Sequence, residues 1–167
     1  MSIAQSMLPE FDHEIATTRT LLERVPGDKA AWKPHPKSTA LGRLSMHIAE
    51  LPQWVAGTLR QTEIDVNPVE GPGFVSTPFE STPAMLAVFD ANTKAARAVL
   101  EATPDADFFV PWSLKNAGKV TFTMPRVAVL RSFVMNHIVH HRGQLSVYLR
   151  LNDVPLPNIY GPTADTK

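Results

Sequence analysis

The sequence predicts an all-α protein, an antiparallel four-helix bundle with long irregular loops. Three observations carry that reading. Four stretches place apolar residues three and four positions apart, the stripe of an amphipathic helix. Proline-rich joints separate those stretches, which gives the 15 prolines somewhere to sit outside helices. The chain of 167 residues is long enough for a single domain, 1–167, to bury a core without disulfide staples.

Residues 6–25 carry Met7, Phe11, Ile15, Thr18, Leu21, Leu22 and Val25 on one face, and Pro26-Gly27 ends that helix. Residues 39–62 carry Leu41, Leu44, Ile48, Leu51, Val55 and Leu59, with Ser38 or Thr39 available as the N-cap. Pro52 falls inside this second helix and is expected to kink it, because proline removes one backbone hydrogen bond and crowds the preceding turn. In the third helix Thr82 can cap and Pro83 suits the first helical position; Met85, Leu86, Phe89, Ala96, Val99 and Leu100 follow before Pro104 closes it. The fourth runs from about Pro125 to Leu151, with Leu130, Val134, Leu145 and Tyr148 repeating on one side. Asn152-Asp153 and the prolines at 155 and 157 stop it. The joints at 26–38, 64–81 and 103–124 are long for a compact bundle unless they cover something. A short β-hairpin could form around 108–123, turning at Asn116-Ala117-Gly118-Lys119.

Composition narrows the function. Sixteen basic residues balance sixteen acidic ones, so no basic footprint for nucleic acid is present. There is no cysteine, which excludes disulfides, thiolate metal sites and a cysteine nucleophile. No apolar run approaches the roughly 20 residues that span a bilayer. The opening MSIAQSMLPEFDHEI turns acidic where a signal peptide would be apolar. A soluble, cytoplasmic protein without a membrane partner is expected.

Residues 137–145 read HIVHHRGQL and hold three of the six histidines. Each helical residue advances about 100°, so positions four apart are neighbours on one face. His137 and His141 stand in that relation, within the arc of Leu130, Val134, Leu145 and Tyr148, and are expected to project inward. His140 falls on the flank, nearer Phe133 and Gln144, while Val139 and Arg142 point away. A buried polar group without a partner costs about 1–3 kcal/mol, so the inward pair needs one. His47, in LSMHIAEL, lies at the edge of the second helix's apolar arc and can supply a third imidazole. Bundles build metal sites from side chains on facing helices, and three protein ligands leave positions open for water or substrate. An all-imidazole set suits zinc, nickel, iron or copper rather than magnesium. An HxxxH pair alone serves surface or core packing as readily as metal binding, so the bare pattern leaves both open. His13 and His35 have no helical partner at metal spacing and are read as exposed.

NHIVHHRGQLSVYLRLNDVPLPNIYGP resembles the C-terminal signature of the DinB-like (DinB/YfiT) superfamily. WKPHPKSTALGRLSMHIAELPQW resembles that family's loop and second helix, and FVPWSLKNAGKVTFTMPR resembles the insertion before its last helix. The resemblance covers essentially the whole chain in the right order. It implies an antiparallel four-helix bundle with a metal near one end, held by His47, His137 and His141. It also implies zinc or nickel as the metal and, often, a homodimer. Relatives include thiol-dependent S-transferases or isomerases using bacillithiol or mycothiol, and proteins described as metal-dependent hydrolases.

The leading expectation is a divalent-metal-dependent S-transferase that joins a low-molecular-weight thiol to a small electrophile. In that reading Gln144 orients a ligand and His140 carries a proton or supports its neighbour. Trp112 and Tyr160, with Trp32, are aromatic groups in the loops and tail that could wall a cofactor pocket; packing of loops on the bundle accounts for them equally. The alternatives are metal-assisted hydrolysis and a non-catalytic metal-binding stress-response protein. Hydrolysis would call for a carboxylate base, and Glu50, three residues past His47, is expected to face solvent.

Overall fold

The computed structural model describes residues 1–166. Helix α1 (Ile3–Leu22) starts on a capping box: Ser2 Oγ accepts from the Gln5 amide at 3.1 Å, and Gln5 Oε1 accepts from the Ser2 amide at 2.8 Å. It buries Met7, Phe11, Ile15, Thr18, Leu21 and Leu22, the face that their spacing predicts.

The second predicted helix is two helices, α2 (Leu41–Glu50) and α3 (Gln53–Arg60), so the expected kink at Pro52 is a break. Neither Ser38 nor Thr39 caps α2. The N-cap is Ala40, and the Leu41 and Gly42 amides donate instead to the carbonyls of Trp32 and Ala30, both at 2.9 Å. Loop carbonyls thus satisfy donors that a side chain was expected to take. Gly42 also lets two loops close on the helix: a Cβ there would stand 3.0 Å from Ala30 Cβ and from Phe79 Cγ.

Helix α4 (Thr82–Ala102) is capped by Ser81, whose Oγ accepts from the Ala84 amide at 3.2 Å. Thr82, the expected cap, is already helical, and its hydroxyl donates to the Val25 carbonyl at 2.7 Å. The C-terminal helical limb comprises α5 (Arg126–Ala128), a π-helical stretch Val129–Met135 and α6 (Asn136–Leu151).

The all-α class is corrected by a three-stranded mixed sheet, in the order β1 (Glu63–Asp65), β2 (Pro111–Asn116), β3 (Lys119–Pro125). β2 and β3 form an antiparallel hairpin with a register shift between Leu114 and Lys115. It turns at Ala117 and Gly118, whose φ values of 49° and 75° are what a tight hairpin turn demands. β1 adds in parallel, Ile64 opposite Leu114. Two apolar clusters result. The larger lies among the helices and includes Phe11, Leu21, Ile48, Phe89 and Leu145. The smaller joins Trp112 and Leu114 of the sheet to Val129, with Trp54 and Phe133 against it. The sheet is therefore held against the stretch of helix that leads into the histidines. Among the described residues, no helix is long and apolar enough to cross a membrane.

Candidate metal centre

Position along α6 decides what each histidine can reach. Leu130, Val134 and Leu145 are buried as expected, but on α6 the other buried positions are Ile138, Arg142 and Leu149, each one place beyond His137, His141 and Tyr148. Arg142 was expected to point away; it is 1 % exposed. A buried guanidinium is tolerable only when paired. It forms an ion pair with Glu14 at 2.7 Å, donates to the Thr18 hydroxyl at 3.3 Å and to the Glu14 carbonyl at 3.2 Å, and donates to the Tyr160 hydroxyl. With Arg142 in the core, His137 and His141 fall at the core's edge, half-buried, facing α2.

His47 meets them there, from the last turn of α2. Its Nε2 is 3.4 Å from Nε2 of His137. The ring centroids are 4.6 Å apart for His47–His141 and 4.6 Å for His137–His141. One ring nitrogen from each of the three lies within 4.8 Å of the others. His141 is oriented by Gln144: Oε1 can only accept, so His141 Nδ1–H donates to it at 2.7 Å and leaves Nε2 free. His137 Nδ1 is buried without a hydrogen-bond partner.

Electrostatics keep these rings neutral. Burial pushes His47 down to about 4, with the charged forms of His141 and His137 and the Arg43 guanidinium adding to the effect. Burial likewise pushes His137 down to about 4, reinforced by His141; the Phe133 carbonyl pulls the other way without reaching hydrogen-bond geometry. His141 is lowered too, by burial, against the opposing bond to Gln144. Neutral imidazole is the form that ligates a metal.

The donor set fits a divalent ion. Two unprotonated nitrogens facing each other repel, so the His47–His137 pair calls for a shared proton or a cation. Tetrahedral nitrogen ligands about 2.0–2.1 Å from zinc stand roughly 3.3–3.4 Å apart, which the His47–His137 spacing matches; the set as a whole is looser. Three nitrogens leave coordination positions open.

A cleft of about 480 Å³ opens beside the cluster. Lys37, Ser38 and Thr39 form the loop wall; Arg43, Leu44 and His47 come from α2; His141, Gln144 and Tyr148 come from α6. His140 is exposed and lies on the other side, in a shallower depression with Phe133, Asn136 and His137. Trp112 and Tyr160 do not line the cleft. Trp112 is fully buried under the sheet, and Tyr160, 65 % exposed, closes over Arg142 and donates to Glu14 at 2.8 Å. Trp32 packs edge-on against Tyr148 at 5.6 Å, behind the cleft wall. His13 stacks on Tyr160, and His35 accepts from the Lys37 amide.

Glu50 was expected to face solvent and does not. It is 4 % exposed and accepts from the Ser76 hydroxyl at 2.8 Å and the Thr77 amide at 2.7 Å. It therefore pins the 64–81 loop to α2. Its spacing from His47 carried no signal of this, because the partners are two dozen residues away. Arg43 and Lys37 in the cleft also went unnoticed in the sequence, since they are single charges among ordinary surface residues.

The fold and site define a class: a helical-bundle protein with an added sheet and a three-histidine cluster open to a cleft. A sequence model described as "DinB family" matches residues 1–166, and the chain belongs to that family. Among solved structures, a DinB-like protein from Bacillus cereus ATCC 10987 superposes with a TM-score of 0.71 at 22% identity, over 93% of this chain and 97% of that one. The DinB-like protein YjoA from Bacillus subtilis gives a TM-score of 0.67 at 19% identity, over 97% and 98%. At these identities the likeness is one of fold. No curated protein matches the sequence.

Proposed function

We propose that this protein is a divalent-metal-dependent S-transferase that joins a low-molecular-weight thiol, of the bacillithiol or mycothiol type, to a small electrophile. The observation that carries the reading is the cluster of three neutral imidazoles beside a cleft large enough for a small molecule. His47, His137 and His141 would hold the metal, with zinc or nickel the ions proposed. When bound, such an ion supplies Lewis acidity and draws the proton from a thiol that approaches it.

Gln144 keeps His141 in the tautomer that leaves Nε2 free, the usual role of a hydrogen-bond partner behind a metal-binding imidazole. His140 lies across the cluster from the cleft, its ring centroid 4.9 Å from that of His141, and is assigned the supporting role beside that ligand; the thiol's proton leaves to water as the sulfur forms its new bond and the leaving group departs with the bonding pair. No carboxylate lines the cleft among the described residues, and the nearby Glu50 is committed to the loop. That arrangement favours a thiol nucleophile over water, which would want a general base.

Incubating the metallated protein with a model electrophile, with and without a panel of small thiols, tests the reading. Turnover is expected only with a thiol present. Turnover at the same rate without any thiol would contradict it and favour hydrolysis. Sedimentation would settle the homodimer that accompanies this proposal.

A further inference from the structure

The cleft beside the histidines is cationic on one side and hydroxyl-lined, and most of its donors lack protein acceptors. Lys37 makes no ion pair among the described residues. Arg43 has one carboxylate neighbour, Glu50, at 3.8 Å. The Glu50 oxygens already accept from Ser76 and Thr77, so most of the planar donor fork of Arg43 is free. The Ser38 and Thr39 hydroxyls make no hydrogen bond to protein among the described residues. No acidic side chain lines the cleft to neutralise these groups.

The wall that carries these donors is built before any ligand arrives. The Leu41 and Gly42 amides tie the loop to the start of α2 at 2.9 Å each. Ala30 and Phe79 pack on Gly42 so closely that no Cβ fits without a shift. Trp32 rests edge-on against Tyr148 on the opposite helix. The loop backbone that bears Lys37, Ser38 and Thr39 and the start of α2 that bears Arg43 are therefore held in place, so binding has mainly the side chains to order.

We propose that the substrate entering this cleft carries an anionic group, a carboxylate or a phosphate, held by Arg43 and Lys37 while its reacting end lies against His47, His141 and Gln144. The inference rests on the reading of the cleft as the substrate side of the histidine cluster, but not on any turnover. Arg43 supplies paired, directional hydrogen bonds and Lys37 a point charge, the usual division of labour in recognising carboxylate and phosphate. Ser38 and Thr39 add neutral donors to the remaining oxygens.

The test is a titration of the full-length protein, metal-loaded and chelated in parallel at pH 7.5. The probes are malonate, inorganic phosphate and neutral malonamide, and the readout is the imidazole resonances of His47 and His141. Saturable shifts are expected with malonate or phosphate and none with malonamide, and the stronger of the two names the anion class. Arg43→Gln should weaken that binding about tenfold or more, as loss of a charge-assisted pair does. Lys37→Glu, at an exposed residue, should weaken it as well, and decides the matter if the Arg43 variant does not fold. An equal response to malonamide, no saturable response to either anion, or affinity unchanged in both variants would overturn the proposal. Metal content is measured on the same samples. Anion binding that survives chelation supports the cleft even where the metal centre fails, so the two claims fail separately.

Discussion

His47 Nε2 and His137 Nε2 face each other at 3.4 Å across the α2–α6 interface, although 90 residues separate them in the chain. Each lies at the edge of a buried helical face, and neither has a carboxylate to share its proton. The contact makes sense as two sides of a cation site closed by His141.

Gln144 is predicted to matter through His141. Gln144→Leu removes the acceptor for His141 Nδ1–H, frees the ring to turn and permits the other tautomer. Metal affinity should fall about 10–100-fold, the usual cost of losing such a partner, while thermal stability of the metal-free protein changes little. Competition with a chromogenic chelator measures it; unchanged affinity would show that the 2.7 Å bond has no role at the centre.

Acid should act at an unusual pH. In the folded chain His47 and His137 sit near 4, below the ordinary 6.5, so the unfolded chain binds more protons between about pH 4 and 6.5. Stability of the metal-free protein therefore rises with pH across that window and is lost as pH falls through it. Because protons compete weakly at His47 and His137 above about pH 4, and His141 is lowered too, a loaded protein desalted at pH 5.5 should keep its ion. Metal loss centred near 6.5 would contradict this.

The buried Arg142 is predicted to be a hinge of stability rather than of chemistry. Glu14→Ala leaves a guanidinium 1 % exposed without its counter-charge, and should destabilise by about 3–5 kcal/mol. Arg142→Met, which removes the charge and keeps the volume, should cost less. Tyr160→Phe, at a largely exposed ring, should cost about 1 kcal/mol. Urea unfolding of the three variants checks the order.

Glu50 is predicted to hold the 64–81 loop. Glu50→Ala should cost about 2 kcal/mol, the scale of a buried hydrogen bond to a charged group, and should speed exchange of the Thr77 amide. Glu50→Gln keeps one acceptor and should lose less. A Thr77 amide equally protected in the alanine variant would show that other contacts hold the loop.

Much of this site is legible in the sequence because it depends on helical phase. His47, His137 and His141 lie on periodic helices, α2 and α6, and their meeting follows from facing apolar arcs. Phase fails where chemistry overrides polarity: Arg142 occupies a core position because Glu14 and Tyr160, from α1 and the tail, pair with it. The same holds for Glu50, whose partners lie in a loop with no periodicity at all. The third strand is illegible for a further reason. β1 is three residues long, and its parallel partner β2 lies nearly fifty residues on, so no local pattern marks the pairing. The hairpin itself is legible: the turn signal at Asn116-Ala117-Gly118-Lys119 lies in the joint at 103–124, and β2 and β3 pair across it.

The central claim is the three-histidine metal centre, and metal stoichiometry of the untagged protein tests it most directly. Wild-type protein exposed to zinc or nickel and then desalted is predicted to retain one ion per chain, and His137→Ala to retain none while remaining folded. A stoichiometric ion in His137→Ala, or none in the wild type, would contradict the account.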